Sequence, residues 1–225
     1  GSGLVGSEMC IRDRIKRYEK KSGKYAQVTN VITRNNYIYY YESLCYLVEI
    51  GFKIIDTAID FCVDWTNDEL ETIFDQIKKS YEFYITRIDE YGMERFHWSF
   101  IDELKNSVKE KKKFYSCGAG IVSLYVKING DFYACPSCFD SRMKLGNIYT
   151  GYDIEKINFL KKVDTLNNKC NSCKLFSVCG AKGCLVLNLS SNNDMSIPNY
   201  ALCSIEKFMY NFYQSKYSHT EVQHD

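Results

Sequence analysis

Nothing in this 225-residue chain approaches the roughly 20 consecutive apolar residues that a bilayer crossing needs, which excludes a membrane-spanning helix as its organising feature. A basic stripe is equally absent. The 29 lysines and arginines are spread along the chain against 28 acidic residues, leaving a formal charge of +1 and nothing that argues for a nucleic-acid footprint. The opening segment, GSGLVGSEMCIRDR, has none of the apolar core of a secretory signal, so a reducing compartment is the expectation. What the chain does have is apolar mass. With 45% hydrophobic and 15% aromatic residues, 19 of them Tyr, it is long enough for one large domain or two small ones, the aromatics filling cores rather than stacking on bases.

Eleven cysteines are many for a chain with these properties, since in a reducing compartment clustered thiols serve metal or redox work more often than disulfides. Cys10, Cys45 and Cys62 stand alone in an otherwise ordinary N-terminal half, whereas Cys117, Cys135, Cys138, Cys170, Cys173, Cys179, Cys184 and Cys203 crowd the remainder. That shift sets the expected division: 15–113 as one region and 114–225 as a cysteine-rich one. Residues 1–14 are similar to the translated adapter tails of environmental sequences and are expected to stand outside the fold, the alternative being a frayed natural terminus. An adapter junction would imply a chain truncated at its N-terminus.

The first region alternates strand and helix. YAQVTNVIT over 25–33 reads as a strand, Tyr41, Leu44, Cys45 and Val48 repeat with helical spacing up to Gly51, and FKIIDTAI over 52–59 reads as a strand covered on both faces. Thr66 and Glu69 have the spacing of a capping box, and Leu70, Ile73, Phe74, Ile77, Tyr81 and Tyr84 keep a helical period behind it. A further helix is expected over 101–111, ending in the solvated KEKKK. Such alternation means an α/β fold with βα units on a parallel sheet. Asp60, Asp64 and Trp65 follow the second strand, where functional side chains collect in such folds, although loop acids and a packing Trp are the plainer reading.

Beyond Lys113, Leu124, Val126 and Ile128 alternate up to the turn pair Asn129-Gly130, and 132–135 returns as a hairpin that brings Cys117 and Cys135 together. LGNIY over 145–149 reads as a turn followed by a short extended piece, and 154–163 as a helix. In CNSCKLFSVCGAKGC, Cys170 and Cys173 form a CxxC turn, Cys179 follows after five residues, Cys184 after four more and Cys203 after eighteen. Thiolates are soft ligands and a closed centre takes four, so eight of them suffice for two centres. The residues alone leave iron–sulfur clusters and zinc both open.

CGAGIVSLYVKINGDFYAC, CNSCKLFSVCGAKGC and Cys203 together resemble the SPASM domain, the C-terminal extension of radical S-adenosylmethionine (SAM) enzymes that mature peptides and proteins. The match runs over about residues 117–203, with one departure: Cys179 and Cys184 enclose four residues where the pattern has three. The resemblance implies two auxiliary [4Fe–4S] clusters, one on Cys170, Cys173, Cys179 and Cys203, the other on Cys117, Cys135 and Cys184. The fourth ligand of the second is Cys138 or a position left open for substrate. It also implies that 15–113 is the end of a partial (β/α)6 barrel and 114–225 the SPASM domain.

No two cysteines here have the CxxxC spacing of the SAM-binding cluster motif. The chain is therefore expected to be a C-terminal part of its parent, with SAM and a third [4Fe–4S] cluster belonging to the full-length protein, and to be inactive by itself. The resemblance implies an anaerobic cytoplasmic setting and, as partners, a cysteine-containing peptide or protein substrate modified through thioether-type crosslinks and an electron donor; auxiliary clusters would pass electrons or position the substrate. A sulfatase-maturating activity fits less well, because the family's base is an Asp directly after the cysteine matching Cys135, and Pro136 stands there. Two other readings are a zinc-binding interaction module and a non-catalytic iron–sulfur scaffold.

Overall fold

The structure, a computed structural model, describes residues 3–91, 97–102, 115, 117–163 and 169–217. The chain divides into two compact units, one of residues 1–60 and 65–105, the other of 61–64 and 106–225. The first runs through helix α1 (Gly3–Ser22), strand β1 (Gln27–Ile32), helix α2 (Tyr40–Glu49), strand β2 (Ile54–Ile59), helix α3 (Asn67–Tyr91) and strand β3 (His97–Trp98). Residues 3–14, left outside the fold by the sequence reading, are helical as part of α1.

The three strands form a parallel sheet in the order β1-β2-β3, with Val28 beside Ile55, Ile32 beside Ile59 and Ile54 beside His97. Alternation along the strands sends Ile32, Ile55 and Ile59 to one face, where all three are buried. Thr57 lies on the same face, and its hydroxyl accepts the indole N–H of the buried Trp98 at 2.9 Å and pairs with the Tyr40 hydroxyl from α2. The opposite face differs from expectation. Gln27, Val31 and Ala58 are exposed there while Ile54 and Asp56 are half-buried, the Asp56 carboxylate accepting from Gln27 and Ser99, so FKIIDTAI is less covered on this side than on the other.

Helix α3 begins where the capping box places it: the Thr66 N–H donates to Glu69 Oε2 at 2.8 Å and the Glu69 N–H to Thr66 Oγ1 at 3.3 Å. All six residues of its apolar period are buried. Of the helix expected over 101–111, residues 99–102 are helical and 103–111 lie outside the described residues. Trp65 is a packing residue. It is buried, donates to the Asp60 carbonyl at 2.6 Å and meets Tyr37 edge to face.

The second unit is built on an antiparallel sheet of β4 (Tyr125–Val126), β5 (Asp131–Tyr133), β6 (Lys144–Asn147) and β7 (Gly151–Tyr152), paired in that order. Helices α4 (Ile154–Leu160), α5 (Leu185–Asn192) and α6 (Tyr200–Tyr217) follow. The hairpin turns at Asn129-Gly130, with Tyr125 opposite Tyr133 and Val126 opposite Phe132. LGNIY is ordered the other way from expectation: β6 is the extended piece and the turn comes after it.

Gly146 in β6 has φ +137°, and a β-carbon there would run into the Gly151 carbonyl of the neighbouring strand. Gly146→Ala is expected to cost about 3 kcal/mol, from backbone strain plus loss of the β6–β7 pairing. Urea unfolding of the variant checks this by a lowered midpoint.

Asp131 on β5 ties the sheet together through Lys144 at 2.6 Å, Asn147 at 2.8 Å and Asn129 at 3.0 Å. The Lys144 ammonium, then the two amides, hold its carboxyl down to about 2. Its pKa is thus lower folded than unfolded, about 3.9 in a free chain. The resulting stability is present above that unfolded value and is lost as pH falls through the folded one. Asp131→Asn should therefore be less stable than wild type at pH 6, with the gap closing by about pH 2. Urea midpoints of both proteins across that range test the sign.

Candidate metal centres

Residues 169–184 form a chain of overlapping turns. A 3-10 turn (Lys169–Ser172) carries Cys170, after which the Cys173 N–H donates to the Cys170 carbonyl at 2.9 Å, Phe176 to Cys173 at 3.0 Å and Cys179 to Leu175 at 2.8 Å. The last turn, closed by Cys184 donating to the Ala181 carbonyl at 3.1 Å, contains Gly183 at φ +72°. A left-handed residue there accommodates the extra residue between Cys179 and Cys184 without strain.

Cys203 reaches the same place from α6. Asn199 caps that helix by accepting the Leu202 N–H at 2.9 Å, and its own N–H is held by the buried Asn188 side chain at 3.1 Å. The cap sets Cys203 on the first turn, its N–H on the Asn199 carbonyl at 3.0 Å. Cys170, Cys173, Cys179 and Cys203 thereby line one cavity of about 530 Å³, walled on its apolar side by Leu175, Phe176, Ile197 and Leu202.

Backbone N–H groups aim at the sulfurs, from Gly183 to Cys170, from Ala181 and Lys182 to Cys179, and from Leu187 to Cys184. Burial nonetheless pushes the Cys179 thiol up to about 12, Glu206 adding to it, and the Cys184 thiol up to about 11. Cys170 is raised by burial too, with the charges of Cys203 and Cys173 beside it. Bare thiols so placed keep their protons at neutral pH, while the N–H donors favour thiolates once a metal displaces those protons.

Cys184 interacts with Cys117 and Cys135, not only with its sequence neighbours. All three press on the phenol of the buried Tyr115, whose ionisation is driven up first by burial and then by these sulfurs. Tyr115 donates its hydroxyl to the Ala119 carbonyl at 2.8 Å and its N–H to the Lys182 carbonyl at 3.3 Å. Seven thiols thus lie in two neighbourhoods, Cys170/173/179/203 around the cavity and Cys117/135/184 around Tyr115. Cys138 lies deeper, in the apolar core with Met143 and Leu145, and its sulfur is a charge neighbour of Arg142. Cys10 and Cys62 are exposed, and Cys45 is half-buried beside Tyr41.

Asp140 is no proton acceptor. Arg142 grips both its oxygens, Nε at 2.8 Å and Nη2 at 2.7 Å, and holds the carboxyl down to about 2. The sequence reading did not single out Lys182, Asn188, Asn199 or Glu206, all of which line the cavity. For Asn199 a signal was there, since an Asn after Pro198 and before an apolar period marks a helix start.

In one chain, a region of parallel βα units and a cysteine-rich unit built on an antiparallel sheet give a fold similar to that of solved radical SAM/SPASM structures. One is native anSMEcpe with bound AdoMet, at TM-score 0.62 and 15% identity over 94% of this chain and 61% of that one. The same enzyme with AdoMet and the Cp18Cys peptide aligns at TM-score 0.62 and 17% identity over 91% and 60%, and with the Kp18Cys peptide at 0.58 and 17% over 91% and 59%. This chain therefore spans about three fifths of the structures it matches. No family model and no curated protein matches its sequence. Among the described residues, no helix is long and apolar enough to cross a membrane.

Proposed function

We propose that this chain is the C-terminal part of a radical SAM enzyme that modifies a peptide or protein substrate, with 15–113 as the end of the barrel and 114–225 as a SPASM domain holding two [4Fe–4S] clusters. The observation that carries it is the cavity onto which Cys170, Cys173, Cys179 and Cys203 converge from two separate segments. These four would hold one cluster and Cys117, Cys135 and Cys184 the other, with Cys138 or an atom of the substrate as the remaining ligand. Bound clusters of this kind carry single electrons.

The chain's own residues supply the surroundings. N–H donors stabilise ligand charge, Leu175, Phe176, Ile197 and Leu202 limit water, and the Asn188–Asn199 pair fixes Cys203. A tetrahedral zinc ion would draw its four sulfurs to about 3.8 Å from one another. The four thiols line a cavity of about 530 Å³, which leaves room for a multi-atom cluster.

The likeness to anSMEcpe, which is seen with AdoMet and cysteine-containing peptides, supports a peptide substrate for the parent enzyme. Pro136 in place of the family's Asp, with Asp140 locked by Arg142, favours a peptide modification other than sulfatase maturation, thioether crosslinking included. Lacking a CxxxC pair, the chain is expected not to cleave SAM after anaerobic reconstitution and reduction. Appearance of 5′-deoxyadenosine above a protein-free control would contradict this. Iron, sulfide and zinc analysis of the same sample tests the clusters: zinc without sulfide would sink that part.

A further inference from the structure

We propose that Lys182 is the charge-compensating residue of the four-cysteine centre, a buried cation that favours the reduced state of the cluster held there. The inference rests on the iron–sulfur reading above and adds a role for a residue outside the ligand set.

Lys182 is 4% exposed, a rare position for a lysine, and it lines the cavity with Cys170, Cys173, Cys179 and Cys203. Its ammonium donates to the Phe176 carbonyl and sits 4.3 Å from the centre of the Phe176 ring, whose face attracts a cation. Carbonyl and ring alone are thin compensation for a charge withdrawn from water. The sulfurs beside it are those of Cys179 and Cys170, protonated in the bare chain and negative only as metal-bound thiolates. Glu206 lines the same cavity but holds the Gly180 N–H at 3.3 Å, on the Cys179 side.

The backbone of Lys182 is fixed as firmly as its side chain. Its N–H is directed at the Cys179 sulfur and its carbonyl accepts the Tyr115 N–H. Side chain and backbone thus both fix Lys182 in the wall of the cavity that Cys170 and Cys179 line. When a bound cluster takes up one electron from an external reductant it gains one unit of negative charge. A fixed cation in a low-dielectric pocket stabilises that state more than the oxidised one.

The test is a dithionite redox titration, followed by electron paramagnetic resonance, of anaerobically reconstituted wild type, Lys182→Met, Lys182→Gln and Lys182→Arg, with iron and sulfide counted in each. In the Met and Gln variants one of the two cluster transitions should move, the ratio of oxidised to reduced centre at a fixed potential rising about tenfold, or about 59 mV for a one-electron couple. The other transition should stay, and Lys182→Arg should remain near wild type. If the neutral variants lose this centre's iron while Arg retains it, the charge is what the site requires, which also supports the proposal. Fully loaded neutral variants with unmoved transitions overturn it, as does equal loss of iron in Lys182→Arg, which would mean packing rather than charge. Both leave the iron–sulfur reading standing. Wild-type protein holding zinc without sulfide would remove that reading, and this proposal with it.

Discussion

Replacing Cys179 or Cys203 with alanine should cut the iron and sulfide of the anaerobically reconstituted chain from about eight of each to about four, the arithmetic of losing one of two four-iron centres. Cys184→Ala should remove the other four, although Cys184 stands only five positions after Cys179. Sequence proximity predicts that neighbours fall together. The geometry predicts the reverse, because Cys179 shares a cavity with Cys203, while Cys184 is a charge neighbour of Cys117 and Cys135 beside Tyr115. The double replacement Cys179→Ala/Cys184→Ala should therefore bind almost no iron, whereas Cys179→Ala/Cys203→Ala should match either single variant. Equal loss of all iron in Cys179→Ala and Cys184→Ala would mean one shared centre and defeat the two-group arrangement. Retention of all eight in either variant would defeat its ligand assignment.

How much of this was legible in the sequence depends on the length of each element. Helix α3 could be read because a capping box and six apolar positions agree over more than four turns, so local and tertiary preferences point the same way. The hairpin was legible because Asn129-Gly130 admits few other conformations. Strands β6 and β7, four and two residues long, are too short for a period to show, and the turn between them was misplaced. Helix α5, LVLNLSSN, is an apolar run that periodicity cannot separate from a buried strand. Helix α6 was readable and went unread, since Ala201, Ile205, Met209, Phe212 and Tyr213 recur at helical spacing and all are buried. The grouping of the thiols came from the resemblance, not from spacing. The burial of Lys182 had no sequence signal, because a lysine between two cysteines in a glycine-rich turn reads as solvated.

Stripping the metal should lower the thermal midpoint of the cysteine-rich unit by about 10 °C or more, at about 2–4 °C for each kcal/mol in a chain of this size. Residues 169–184 contain no strand and no helix longer than the 3-10 turn, so their backbone is held by turn hydrogen bonds that survive poorly alone. The core that follows begins at once with Leu185 and Val186, fully or nearly fully buried, so loosening these turns loosens α5 as well. Without metal the buried thiols of Cys179 and Cys184 hold protons in place of ligand bonds, and the cross-links between the turns are gone. Losing the ligand bonds weakens the folded state alone, because the unfolded chain has no preformed site to lose. Anaerobic circular dichroism melts before and after chelation measure the shift. The parallel βα unit, whose core of Trp98, Ile55, Leu70 and Ile73 contains no proposed ligand, should melt where it did before. A cysteine-rich unit whose midpoint moves by less than about 2 °C, under 1 kcal/mol on the same scale, would show that its fold does not depend on the centres.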